Sequence, residues 1–323
     1  MRATTDPQDA AAALAAGHLA ALPTETVYGL GARADDPHAI ARIYATKGRP
    51  ADHPLIAHLA GIEALEAWGI NIPIYAYQLG KAFWPGPLTL VVNRSPKAAD
   101  FITGGQDSVA VRVSAHPLMQ EVQQALILLT GDPAIGIAAP SANRFGKVSP
   151  TNAQHVLDEL GAFTSDDDVV LDGGDCAVGV ESTIIDCTGD HPRLLRPGAV
   201  SLEHVQAITG LPCTTDSKVR ASGTLESHYS PIANVELITE DELLDLGFAD
   251  ATVGLIALAH CATPTGVVRL CAPETAADYA QQLYSALREA DALQLSTVLA
   301  VPPTQTGIGA AIVDRLTRAA HSN

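Results

Sequence analysis

Cations are scarce in this chain of 323 residues. Its 19 Lys and Arg stand against 36 Asp and Glu, for a formal net charge of −17. Gripping a nucleic acid requires clustered Lys and Arg to neutralise phosphates, so a broad nucleic-acid-binding surface is excluded and stable direct nucleic-acid binding is not expected. Aromatics are only 4% of residues, while hydrophobic residues reach 47%. The core must therefore be aliphatic, built from Ala, Val, Ile and Leu. No apolar run approaches the ~18 residues of a membrane span, so no membrane association is expected. The start, Met1-Arg2-Ala3-Thr4-Thr5-Asp6, carries an acid and no apolar stretch, unlike a signal peptide. Cysteines number five (176, 187, 213, 261 and 271), none in a zinc spacing. A scattered, odd set implies reduced thiols and a cytoplasmic location. P-loop, GxGxxG, HExxH and GxSxG patterns are all missing, as is a carboxylate pair in an acid–base setting. What remains is electrostatic chemistry: binding anions and stabilising a charged transition state without a protein nucleophile. The run Asp166-Asp167-Asp168 is expected to be a solvated loop.

Length favours two domains. Asp6 and Pro7 open a helix over 7–18, and Asp36-Pro37 opens another that delivers Lys47 and Arg49 at its exit. Strands are expected over 24–30, 55–59, 88–92, 109–113, 135–139, 169–172 and 183–186. Several are adjacent without intervening helices, which predicts a mixed sheet. Residues 213–232 are polar and turn-rich and read as a linker. Beyond them a compact βα pattern emerges, with strands over 253–259 and 297–301 and helices over 275–291 and 309–318. The expected division is 1–212, a linker over 213–232, and a small Rossmann-like domain over 233–323. That last stretch holds 11 acids and four cations, so −7 of the net charge lies there.

The rare cations are not scattered evenly. Lys47, Arg49, Arg112, Arg144, Lys147 and Arg196 sit at strand ends or turns rich in Gly, Pro, Ser and Thr. The run Pro23–Gly31 places Thr24 and Thr26 beside glycines, and Lys47-Gly48-Arg49-Pro50 sets two cations on a turn. Hydroxyls facing a cationic loop suit a small carboxylate or phosphate. Arg112 shares one face of its strand with Ala110, opposite Val109, Val111 and Val113. It is either one half of a structural salt bridge or a fork for a ligand anion. Ser141 and Asn143 leave a strand at a proline turn, either as caps for a helix near Thr151 or as phosphate-oxygen partners. Ser182 and Thr183 repeat the hydroxyl arrangement at a strand mouth. His58, alone among apolar residues, reads by itself as a core histidine.

The motifs PTETVYGLG (23–31), KGRP (47–50), PLIAH (54–58), SVAVRV (108–113), APSAN (139–143), SPT (149–151), GVESTIID (179–186), LLRPGAV (194–200) and SHYSP (227–231) follow one another in order. With YAQQLYSALREADAL (279–293) and GIGAAIVDRLTRAA (307–320), the chain resembles the L-threonylcarbamoyladenylate synthases in their longer, two-domain form. The resemblance implies an α/β fold: a YrdC-like twisted mixed sheet with flanking helices, plus a Rossmann-like C-terminal domain. It also implies a reaction. L-Threonine and bicarbonate or CO2 form a carbamate, which attacks the α-phosphorus of ATP to give threonylcarbamoyl-AMP and pyrophosphate. Mg2+, held mainly by the ATP phosphates, is the implied cofactor, and no protein metal ligands are expected. Downstream proteins would transfer the product to an adenosine beside the anticodon of certain tRNAs.

Carried over by position, Thr26, His58, Arg112, Ala139 and Ser182 correspond to threonine contacts, with Arg112 on the carboxylate. Arg49, His53, Ser108, Ser141, Asn143, Ser149, Arg196 and Tyr229 correspond to ATP contacts. Lys47 and Arg49 are the expected catalytic cations, and Tyr229 with its linker would cover the nucleotide. Members often have asparagine at the place of His53, a shorter stretch than Leu126–Gly136, and a lysine within the span Ser222–Glu226. Rival readings are a hydrogenase-maturation carbamoyl-adenylate former, an RNA-binding module and a nucleotide sensor. The first lacks its acylphosphatase-like and zinc-binding segments here. Net charge opposes the second, and only turnover separates the third.

Overall fold

Aspartate–proline pairs start the first two major helices. Asp6 accepts a hydrogen bond from the Gln8 amide at the head of Pro7–Ala15, and Asp36 accepts from His38 and Ala39 at the head of Pro37–Lys47. Proline at the first helical position has no N–H to leave unsatisfied. The computed structural model describes residues 1–223, 229–246 and 251–321. They fall into two compact units. One comprises 1–145, 150–176 and 181–223, and the other 146–149, 177–180 and the described residues from 229 onward.

The first unit is organised by a mixed sheet. Its strands are β1 (Arg2–Thr4), β2 (Ala20–Leu22), β3 (Gly29–Arg33), β4 (Ile56–His58), β5 (Leu88–Asn93), β6 (Ser108–Arg112), β7 (Ile137–Ala138), β8 (Val169–Leu171), β9 (Thr183–Asp186) and β10 (Arg193–Arg196). They lie in the order β1-β8-β2-β3-β7-β4-β6-β5-β9-β10. β4 runs parallel to β6 and β5 parallel to β9, whereas β5–β6, β4–β7 and β3–β7 are antiparallel. This mixed α/β architecture is the one expected.

Alternation along the strands divides the sheet's two faces. Leu30, Ala57, Leu90, Val92, Val109, Val111 and Ile185 enter the main aliphatic core with Ile40 and Ile43 of the second helix. The opposite face carries two separate apolar clusters. One joins Leu22, Ile137 and Leu171 to the helices Pro7–Ala15 and Pro117–Thr130. The other joins Ile56, Val91, Ala110 and Ile184 to Val219 and Ala221. Between these clusters, on the same face, His58 lies in register with Ile137 and Arg112, and Arg112 with Thr89. Polar side chains thus occupy a break in an otherwise apolar surface, and that break holds the candidate site.

The second unit contains a parallel sheet of β11 (Asn234–Leu237), β12 (Val253–Ile256), β13 (Val268–Cys271) and β14 (Thr297–Ala300), ordered β11-β14-β12-β13. Helices Ala276–Ala292 and Gly309–Ala320 accompany it, the first started by a Thr275–Asp278 capping box. Tyr279, fully buried, donates to the carbonyls of Ile256 and Val301.

Three local expectations change. Residues 24–28 are an irregular connection, and the strand begins only at Gly29. The Thr24 hydroxyl accepts from the amides of Thr26 and Val27 and donates to the Val27 carbonyl. Such side-chain bonds turn the backbone away from a ladder. Asp168 is buried rather than solvated. It accepts from the amides of Leu19 and Ser165 and pairs with Arg42 at 2.7 Å. Burial would raise its carboxyl, but these bonds outweigh burial and hold it below its ordinary value. Finally, the segment read as a linker starts inside the first unit. Thr214 bridges Arg193, Ser217 donates to Asp186 at 2.6 Å, and Arg220 reaches the carbonyls of Asp52 and Gly104. The rest of that segment, 224–228, lies outside the described residues.

Candidate active site

Arg112 ends β6 on the polar break, almost fully buried. Its guanidinium donates to Glu25 at 2.7 Å, to the Thr26 hydroxyl at 2.8 Å and to the Gly86 carbonyl at 3.2 Å. The structural salt bridge considered for Arg112 therefore exists, with Glu25 as partner. These bonds use three of the five N–H donors of a guanidinium and leave two for a ligand. The other Glu25 oxygen accepts from the Ser114 hydroxyl at 2.5 Å and the Ala115 amide at 3.1 Å. Burial alone would raise the Glu25 carboxyl; Arg112 and Ser114 overcome it and hold it at about 2. Glu25 is thus a fixed anion that orients Arg112.

His58 lies directly across the strand pair from Arg112. Its Nδ1 is buried with no hydrogen-bond partner in the protein. Burial, reinforced by the Arg112 charge, pushes the imidazole down to about 3, so it is neutral near pH 7. A satisfied core histidine would have its ring nitrogens bonded; His58 instead offers an uncompensated polar atom beside a guanidinium. Ser182 completes the row. Its hydroxyl lies 2.8 Å from that of Thr89 and 3.1 Å from an Arg196 nitrogen. Ala139, also expected here, is buried and donates its amide to Ile56.

A second cluster forms where helix Pro37–Lys47 ends. Gly48 adopts φ +63, closing the helix with a left-handed residue. Lys47 turns inward and is 2% exposed. Its ammonium donates to the carbonyls of Ser141 at 2.6 Å and Asn143 at 2.5 Å, while the Phe145 amide donates back to the Lys47 carbonyl. The KGRP turn and the APSAN turn are therefore one unit, tied to the threonine-bearing connection by Ala142 donating to Tyr28. Burial, and then Arg49, pushes the Lys47 amine well below its ordinary value. A buried ammonium with one N–H to spare favours an anion beside it. Arg49 donates to the Pro54 carbonyl at 2.8 Å and to Ser222 at 3.2 Å. Arg196 grips the Ser182 carbonyl through two nitrogens and the Ser222 carbonyl through a third. Ser222 thus joins the two arginines.

Such a site pairs a carboxylate-sized fork with a nest of phosphate-type donors. Residues 12–198 match the family model covering Sua5, YciO and YrdC, described as "Telomere recombination". Residues 200–321 match "Threonylcarbamoyl-AMP synthase, C-terminal domain". A threonylcarbamoyl-AMP synthase of Pyrococcus abyssi is 40% identical, over 94% of this chain and 90% of its own length. One from Bacillus subtilis is 38% identical, over 98% and 94%. The chain belongs to the threonylcarbamoyl-AMP synthase family. The solved structure of P. abyssi Sua5 complexed with L-threonine superposes with a TM-score of 0.84 at 38% identity, covering 97% of this chain and 94% of that one.

Within a threonylcarbamoyl-AMP synthase frame, the remaining expected residues separate. Ser141 and Asn143 meet Lys47 as described, through their carbonyls. His53 stands edge-on to Phe145 at 5.3 Å, and burial followed by Arg49 lowers its pKa. Ser108 is buried at the start of β6, opposite Asn93. Ser149 and Tyr229 belong to the second unit. There Tyr229 holds φ +64, stacks on Tyr284 at 5.7 Å and lies 5.2 Å from the Arg315 guanidinium. Sequence reasoning missed Glu25, Thr89, Ser114 and Ser222. Glu25 lay in the first quoted motif, where attention went to the hydroxyls; an acid flanked by residues of a buried run was the available signal.

Proposed function

We propose that this chain condenses L-threonine, bicarbonate or CO2, and ATP into threonylcarbamoyl-AMP and pyrophosphate. The observation that carries the reading is the His58–Arg112 pair on one face of the sheet, with Arg112 bonded to Thr26 of the adjoining connection, beside a nest of Lys47, Arg49 and Arg196. The two spare donors of Arg112 suit an amino-acid carboxylate, with Thr26, His58, Ala139 and Ser182 as the rest of the threonine set. By family position Arg49, His53, Ser108, Ser141, Asn143 and Arg196 of the first unit, and separately Ser149 and Tyr229 of the second, correspond to ATP contacts.

The carbamate oxygen is already anionic, so the attack on the α-phosphorus needs no strong general base. What it needs is a site that brings two anions together. Lys47, Arg49 and Arg196 supply the countercharge, fixed before the reaction by carbonyls and by Ser222, so little reorganisation accompanies charge transfer to pyrophosphate. Glu25, the carboxylate of this site, has both oxygens occupied. The donors around Lys47 and Arg49 are cationic and fit phosphate oxygens, so Mg2+ would be carried by the phosphates. Bound there, it would neutralise charge on the departing pyrophosphate. Burial of the site limits water and protects the mixed anhydride. By the same reading the product passes in the cytoplasm to proteins that transfer the threonylcarbamoyl group to tRNA.

The test is pyrophosphate release from ATP in bicarbonate and Mg2+, with and without L-threonine. Threonine-dependent release with threonylcarbamoyl-AMP detected by mass is the expected result. Threonine-independent release means another acceptor, and binding of ATP without release means a nucleotide sensor; either overturns the reading.

A further inference from the structure

The second unit carries a cluster that the synthase chemistry does not use. Glu240, His260 and Cys261 bring a carboxylate oxygen, a ring nitrogen and a thiol sulfur within 4.8 Å of one another. We propose that these three side chains form a zinc-type divalent cation site at the carboxyl end of the second unit's parallel sheet. The inference does not depend on the catalytic reading.

The topology places the ligands together. Glu240 follows β11 at the start of the short helix Glu240–Asp245, while His260 and Cys261 follow β12. Open parallel sheets bind ligands at the carboxyl ends of their strands. Both supports are built. Thr239 and Glu242 form a reciprocal capping box that fixes the backbone at Glu240. Arg269 locks the loop bearing His260 and Cys261, donating to the carbonyls of Ala257, Leu258, Cys261 and Cys271 and to the Thr263 hydroxyl. Arg269 makes no ion pair among the described residues, so its charge is spent on ordering that loop.

The donor set selects the metal. One thiolate, one imidazole and one carboxylate suit zinc, whereas Mg2+ and Ca2+ prefer oxygen alone. Tetrahedral bonds of about 2.0–2.3 Å set ligand atoms roughly 3.3–3.6 Å apart. His260 Nε2 already lies 3.1 Å from Glu240 Oε1. Glu240 and His260 are exposed, so small rotations bring them onto the sulfur, and the fourth position is left to water. An exposed His–Glu contact alone contributes little, and Cys261, which packs in the apolar cluster of Leu243, Leu255 and Leu299, has its sulfur within 4.8 Å of both ligand atoms. Metal binding expels the thiol proton: the S–H bond breaks, the sulfur bonds the cation, and the proton goes to buffer. Neutralising two acidic ligands also suits a unit rich in acids.

The experiment uses the full-length chain, stripped with chelator and titrated with Zn2+ against a chromophoric competitor, and separately with Co2+ in the spectrometer. One saturable site per chain is expected, with a sulfur-to-cobalt charge-transfer band, tetrahedral-type visible absorption, and one proton released per metal. Cys261→Ser should abolish the band, and Glu240→Gln, on an exposed side chain that leaves the core intact, should weaken Zn2+ binding by about tenfold or more. No saturable site, a charge-transfer band that survives Cys261→Ser, or displacement by equimolar Mg2+ would overturn the proposal.

Discussion

Replacing Glu25 with glutamine tests the anchoring of Arg112 directly. The carboxyl sits at about 2 in the folded chain against an ordinary 4.5. At about 1.4 kcal/mol per pKa unit, its ionised form contributes roughly 3 kcal/mol to the fold. Because the folded value lies below the unfolded one, that contribution is complete above about pH 4.5 and is lost as pH falls through about 2. Glu25→Gln should therefore destabilise the first unit by roughly 3 kcal/mol at pH 7, and the gap to the parent should close on acidification. Both tryptophans, Trp68 and Trp84, belong to the first unit, so fluorescence during urea unfolding reports on it specifically. His58, held at about 3, also makes the fold less stable as pH drops below its ordinary 6.5; Glu25 raises it, so this loss is the same in both proteins only above about pH 3. The difference between the two unfolding curves is therefore the quantity to read. An equal midpoint at pH 7, or a gap unchanged between pH 5 and pH 2.5, would refute the reasoning.

Steady-state kinetics should separate the two anion sites: Arg112→Ala raises the KM for threonine by about tenfold or more, while Arg49→Ala acts chiefly on ATP, since truncating a buried charged contact costs ~2–5 kcal/mol. If either variant behaves as the parent, that assignment fails. Gly48→Ala should cost roughly 1 kcal/mol in thermal or urea unfolding, because φ is +63 and the added Cβ would sit 2.8 Å from an Arg144 nitrogen. Asp168→Asn keeps the shape but removes the charge facing Arg42. A loss of about 1–3 kcal/mol is expected at neutral pH, with the deficit shrinking in acid, where the parent carboxyl also protonates.

Local rules made much of this chain legible from sequence. Asp–Pro starts and the glycine at 48 mark helix ends because capping depends on neighbours in sequence. The alternation of Val109, Val111 and Arg112 sorted core from site because strand geometry sends successive side chains to opposite faces. Ordered motifs carried the family and, with it, the residues expected at the candidate site. Tertiary structure decided the rest. Whether Arg112 was a ligand fork or half of a salt bridge depended on Glu25, 87 positions away, which satisfies it while leaving donors free. Lys47 acquired its inward aim only from carbonyls 94 and 96 positions on. Asp168, indistinguishable in sequence from its two acidic neighbours, became a core anion because folding brought Arg42 and the Leu19 amide to it. Local periodicity has no access to such pairings. Burying a charge is unfavourable until a partner arrives, and which partner arrives is set by the sheet's strand order.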